Sequence, residues 1–105
     1  MLATLAVLQL LATGPASPSR RRADQDFARG RYAQAAEEYL QADRASPRAA
    51  LVLQAARSFE RAGDLAQAVQ QYRAYLRRAP FTAKRAAVRR TIAKLNRQLA
   101  AQAGA

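Results

Sequence analysis

The chain has 105 residues, with 18 basic and 7 acidic side chains, and a formal net charge of +11. It contains no cysteine and no histidine, which excludes disulfide bonds, thiolate nucleophiles, imidazole bases and the usual zinc ligand sets. A chain of this length forms one small domain at most, and its 28 alanines, with few glycines and prolines, predict an all-α fold.

The first feature in chain order is an apolar run over residues 2–12. It is shorter than the roughly 20 residues of a transmembrane helix but suits the core of a signal peptide. Small residues follow at Gly14 and Ala16, so we expect residues 1–16 to be a signal peptide and the protein to be exported to the periplasm or cell envelope. Because no lysine or arginine precedes the run, the alternative is an uncleaved anchor or a core helix that packs on the first repeat, and the alternative location is cytoplasmic.

After a linker rich in proline and serine, the apolar spacing predicts five helices, over about 20–29, 32–45, 48–62, 65–78 and 82–101. Ser19 is expected to cap the first helix. Ser46 is expected to cap the third, with Pro47 in its first turn. Asp64 and Gln67 have the spacing of a capping box at the start of the fourth. The fifth helix carries one narrow apolar stripe, formed by Val88, Ile92, Leu95 and Leu99, and should dock on one neighbour.

The chain also matches itself when shifted by 33 residues. A fixed period of about 20–50 residues is typical of solenoids, in which each repeat stacks on the next. The matching positions are Gly30, Ala35, Tyr39 and Pro47, which recur as Gly63, Ala68, Tyr72 and Pro80.

This order of glycine, small residue, aromatic and proline resembles the tetratricopeptide repeat, in its small exported bacterial type. The resemblance implies a short solenoid of helical hairpins, with two repeats over residues 17–80 and a C-terminal capping helix and tail over 81–105. It also implies that Ala35 and Ala68 allow close helix approach and that Tyr39 and Tyr72 fill the gap to the following helix. Two repeats are near the lower limit for stability, so a homo-oligomer or a partner could complete the array.

No enzymatic activity, metal or cofactor is predicted. The acids are scattered, and the isolated glycines form no phosphate-binding loop. The resemblance implies instead a scaffold for protein–protein interaction, whose concave groove is lined by the first helix of each repeat. The residues expected to contact the partner are Phe27, Leu53, Arg57, Arg61, Arg90 and Lys94.

The charge of these residues indicates an acidic peptide or protein as the partner, because guanidinium groups bind carboxylates well. The alternative is that the basic helix 82–97 binds an anionic membrane surface or nucleic acid. Nucleic acid is the weaker of these two, since that helix carries no aromatic side chain on which bases could stack.

Overall fold

A computed structural model describes residues 17–104 of the chain, and the expected signal peptide lies outside these residues. The described part is all-helical, as the composition predicts. Each helix packs on the next one along the chain, an arrangement consistent with a helical repeat. The five helices are α1 (Pro18–Ala28), α2 (Tyr32–Ala45), α3 (Ala49–Ala62), α4 (Leu65–Arg78) and α5 (Arg85–Gly104).

The two glycines of the repeat end the first helix of each pair, as the sequence predicts. Gly30 and Gly63 have φ values of 78° and 83°, in the left-handed region that glycine adopts without steric cost. The carboxylate of Asp64 then accepts a hydrogen bond from the backbone N–H of Gln67, which confirms the predicted cap of α4.

Three predicted helix starts need correction. Ser17, not Ser19, caps α1 by accepting from the N–H of Arg20, because Pro18 takes the first helical position. Helix α3 begins at Ala49, so Ser46 is not its cap and Pro47 lies in the connection before it. The Asp43 carboxylate instead accepts from the N–H of Arg48 at 2.8 Å.

Helix α5 begins at residue 85 and not near 82. The residues between α4 and α5 form a turn in which the N–H of Lys84 donates to Thr82 Oγ1 at 3.2 Å. Pro80, the repeat equivalent of Pro47, lies in the same turn.

Alanines are fully buried in the contacts between the helices. Fully buried alanines on neighbouring helices let the backbones come near each other, and the larger side chains fill the space around them. The alanines with no exposed surface are Ala23, Ala35, Ala36, Ala55, Ala56 and Ala68. Tyr39 and Tyr72 are 3% and 4% exposed, so the aromatic position of each repeat belongs to the core, as expected.

The apolar stripe of α5 docks on α4. Val88 and Leu95 are buried in the cluster that also holds Tyr72 and Tyr75, while Ile92 and Leu99 are half-buried beside it. No helix of residues 17–104 combines the length and the apolar character needed to cross a membrane.

Candidate functional site

The side chains of α1 and α3 meet around a pocket of about 280 Å³. Arg20 and Asp24 contribute from α1, Gln54 from α3 and Arg48 from the connection before α3, while Tyr39 lies at the same pocket. The Tyr39 hydroxyl donates a hydrogen bond to the Asp24 carboxylate. The pocket therefore presents two guanidinium groups beside a carboxylate that is already hydrogen-bonded.

A second hydrogen bond from a buried tyrosine to a carboxylate joins α3 and α4. The Tyr72 hydroxyl donates to Oε1 of Glu60 at 2.6 Å. Burial raises the pKa of both Tyr39 and Tyr72, and the adjacent carboxylate raises the pKa of each phenol further. Both phenols therefore keep their protons and act as hydrogen-bond donors in the neutral pH range.

Glu60 joins three helices. Its second oxygen, Oε2, accepts from Nζ of Lys94 at 3.3 Å, so one carboxylate on α3 contacts both α4 and α5. The Lys94 side chain is 51% exposed, which keeps the energy of this ion pair small. The pair adds a side-chain link between α3 and α5, while the apolar stripe of α5 packs on α4.

Arg57 and Arg90 lie one turn before this contact on their two helices. Residue 57 precedes Glu60 by three positions and residue 90 precedes Lys94 by four, so both side chains share the face of the residues that pair. The positive charge of Arg57 opposes the rise in the pKa of Tyr72 that burial and Glu60 cause. Both arginines are exposed, and neither makes an ion pair within residues 17–104.

Arg61, unlike Arg57 and Arg90, contacts two aromatic rings. Its guanidinium carbon is 6.0 Å from the centre of the Phe27 ring and 5.7 Å from that of Tyr32, and the two rings pack edge to face at 5.1 Å. Arg61 also lines an open depression of about 450 Å³ between α3 and the start of α2. Cation–π contacts thus hold Arg61 and Phe27 together.

Leu53 does not line an open surface. It is 3% exposed and packs in the main core cluster, so its side chain stabilises α3 and offers almost no area to a partner. Of the six residues expected to bind a partner, Leu53 is the one that the structure places in the core.

These contacts define a surface that we call the odd-helix face, because it is made by α1, α3 and α5. Side-chain contacts connect α3 to α1 through Arg61 and Phe27, and to α5 through Glu60 and Lys94. Its charged and polar members are Arg20, Asp24, Gln54, Arg57, Glu60, Arg61, Arg90 and Lys94, with Arg48 at its edge.

The roles of the acids were not predicted from the sequence. Asp24 and Glu60 each lie on the helix before a buried repeat tyrosine, and this order was the available signal. Asp43 was missed as well: it receives two hydrogen bonds from Arg78, of 2.9 and 2.7 Å, and so connects the ends of α2 and α4.

A fourth acid, Glu38, was also not predicted to have a role. Its Oε2 is buried and has no hydrogen-bond partner among the described residues. Burial, followed by the neighbouring Asp26 carboxylate, raises the pKa of Glu38, while Arg22 opposes that shift.

No protein-family model, curated protein or solved structure matches the chain. What the structure establishes is an all-helical array in which each of five helices packs on its neighbours.

Proposed function

We propose that this protein is a non-enzymatic scaffold of the tetratricopeptide-repeat type that binds an acidic peptide or protein on its odd-helix face. The proposal places it in the cell envelope, on the strength of the apolar run over residues 2–12 and the small residues that follow it.

One observation carries the proposal: side-chain contacts link α3 to both α1 and α5, and the cations of these three helices' shared face outnumber its carboxylates. Six cations and two carboxylates contribute to the face and its edge. Both carboxylates are engaged, Asp24 by Tyr39 and Glu60 by Tyr72 and Lys94. Arg57 and Arg90 are therefore exposed to an incoming carboxylate without a strong competitor inside the protein.

Arginine suits this role because its planar group can form two parallel hydrogen bonds to one carboxylate. The shape of the surface favours an extended or helical peptide over a small molecule. The depression beside Arg61 is open to solvent, and the pocket beside Arg20 and Asp24 holds only about 280 Å³. A small-molecule site normally encloses most of its ligand.

The experiment compares two double variants with equal loss of charge. Arg57 and Arg90 are replaced together by glutamine, and binding of a fluorescein-labelled, glutamate-rich peptide is followed by fluorescence anisotropy. We expect at least about tenfold weaker binding, because losing one charge-assisted hydrogen bond of about 1.5–3 kcal/mol already has that effect.

The matched control is Arg73→Gln with Arg77→Gln. Both arginines are exposed but lie on α4, outside the odd-helix face. Arg78 is unsuitable as a control because it pairs with Asp43. We expect the control to weaken binding by much less. Equal weakening by both variants, with the same salt dependence, would show diffuse attraction to a basic protein and would refute a specific face.

A further inference from the structure

The turn between α4 and α5 carries an aromatic ring that the fold leaves in solvent. Phe81 is 98% exposed, whereas every other aromatic side chain of residues 17–104 is buried or half-buried. An exposed aliphatic or aromatic side chain is common on protein surfaces, but a phenyl ring this open at the tip of a turn contributes nothing to the core.

The turn that presents Phe81 is fixed on both sides. The Thr82 hydroxyl lies 2.7 Å from the hydroxyl of Tyr75, which is 5% exposed and belongs to the core. On the other side of Phe81, the Arg85 guanidinium donates to the carbonyl oxygen of Pro80 at 3.2 Å. Because its neighbours are anchored, the ring is held outward and needs no rearrangement to contact another surface.

The topology concentrates positive charge at the same end of the molecule. Successive helices run in opposite directions, so the N-termini of α1, α3 and α5 and the C-termini of α2 and α4 share one end. The Asp43–Arg78 ion pair between α2 and α4 confirms that these ends adjoin. We call this the basic end; its cations are Arg20, Arg21, Arg22, Arg44, Arg48, Arg77, Arg78, Lys84 and Arg85.

Stabilisation of the helix ends by charge does not explain the positions of all these cations. Arg44, Arg77 and Arg78 lie in the last turns of their helices, where the helix dipole favours positive charge. Arg20 to Arg22 and Lys84 to Arg85 lie at the N-termini of α1 and α5, where the dipole opposes positive charge. An anionic surface facing the basic end would interact favourably with both groups.

We infer that the basic end docks on an anionic lipid bilayer, with Phe81 entering the boundary between headgroups and acyl chains. Basic residues around an exposed aromatic ring suit such a surface, because cations are attracted to anionic headgroups and the ring leaves water. A bilayer also accepts a ring that protrudes from a convex turn. The basic end shares Arg20 and Arg48 with the odd-helix face, but Phe81, Arg77 and Lys84 lie outside that face, so the inference does not depend on the proposed function.

The test uses the full chain, which contains no tryptophan. In Phe81→Trp, the new indole is the only one in the protein and reports its own surroundings. With vesicles of phosphatidylcholine and phosphatidylglycerol we expect a blue shift of its emission and quenching by brominated lipid, and little change with pure phosphatidylcholine. The control is Ala66→Trp, at an exposed position at the opposite end of the 14-residue helix α4, about 20 Å away, where no blue shift is expected.

Charge is tested by a second matched pair of variants. Arg77→Gln with Lys84→Gln should lower the partition into anionic vesicles about 30-fold, at about 1 kcal/mol for each basic residue. Arg29→Gln with Arg97→Gln, two exposed positions away from the basic end, should lower it much less. Vesicle binding in which the indole of the Phe81→Trp variant stays in water would overturn the inference, since another segment would then make the contact. Absence of binding, or equal effects of the two charge variants, would overturn it as well.

Discussion

Removing the hydroxyl of Tyr72 tests whether the tyrosine–carboxylate contacts stabilise the array. Tyr72→Phe keeps the buried ring and its packing and removes only the donor to Glu60. The substitution therefore isolates one hydrogen bond of 2.6 Å that joins α3 to α4.

The expected loss follows from the surroundings of Glu60. A hydrogen bond to a charged group contributes about 1.5–3 kcal/mol. The Glu60 side chain is 28% exposed and keeps Lys94 as a partner, so water can replace the lost donor in part. We therefore expect the free energy of unfolding to fall by about 1–2 kcal/mol, towards the lower end of that range. For a domain of this size each kcal/mol lowers Tm by roughly 4–8 °C.

The assay is urea and thermal unfolding, followed by circular dichroism of the helices. Tyr32→Phe is the control, because the Tyr32 ring packs on Phe27 while its hydroxyl makes no hydrogen bond among the described residues. It should change stability by less than about 0.5 kcal/mol. A double-mutant cycle with Glu60→Gln measures the coupling directly. Equal effects of the two Tyr→Phe variants, with no coupling to Glu60, would refute the reasoning.

Two further predictions concern Glu38 and the N-terminus. Because burial and Asp26 raise the pKa of Glu38, the folded state binds that proton more tightly than the unfolded chain does. The contribution of protonated Glu38 to stability is present below the ordinary pKa of 4.5 and is lost as the pH rises through the pKa of Glu38 in the folded state. Glu38→Gln should therefore raise Tm at pH 7 and change it little at pH 4; a lower Tm at pH 7 would contradict this. For export, protein recovered from the envelope fraction should begin near Ser17, whereas an intact Met1 on soluble cytoplasmic protein would contradict the prediction.

The helices could be predicted from the sequence because their determinants are local. Glycine at 30 and 63 ends a helix through its own backbone freedom, and Asp64 caps the helix that follows it directly. The buried positions of the two repeats follow the helical period, so the burial of the core alanines, Tyr39 and Tyr72 could also be predicted from the sequence. Errors arose at helix starts: at α3 a contact from Asp43, outside the turn, caps Arg48, whereas at α1 and α5 the residues Ser17 and Thr82 accept the local hydrogen bonds.

The polar contacts could not be predicted because the 33-residue repeat does not apply to them. Tyr39 and Tyr72 are equivalent positions, but their partners Asp24 and Glu60 are 36 residues apart. The position equivalent to Asp24 holds Arg57, and the position equivalent to Glu60 holds Phe27. The apolar positions are thus repeated, whereas the acid that accepts from the tyrosine is displaced by almost one helical turn between the repeats. Only the packing of the helices shows which acid each tyrosine contacts.

This displacement determines the character of the odd-helix face. With the acid at position 60, Arg57 occupies the position that an aspartate has in the first repeat, and α3 gains a cation on its exposed side. With a phenylalanine at position 27, Arg61 is held by a ring and not by a carboxylate. The acids that remain on the face are those that the core tyrosines hold. The hydrogen bonds from Tyr39 and Tyr72 therefore join the helices and also occupy the carboxylates that would otherwise compete with an acidic partner. The stability of the fold and the proposed binding thus depend on the same two tyrosines.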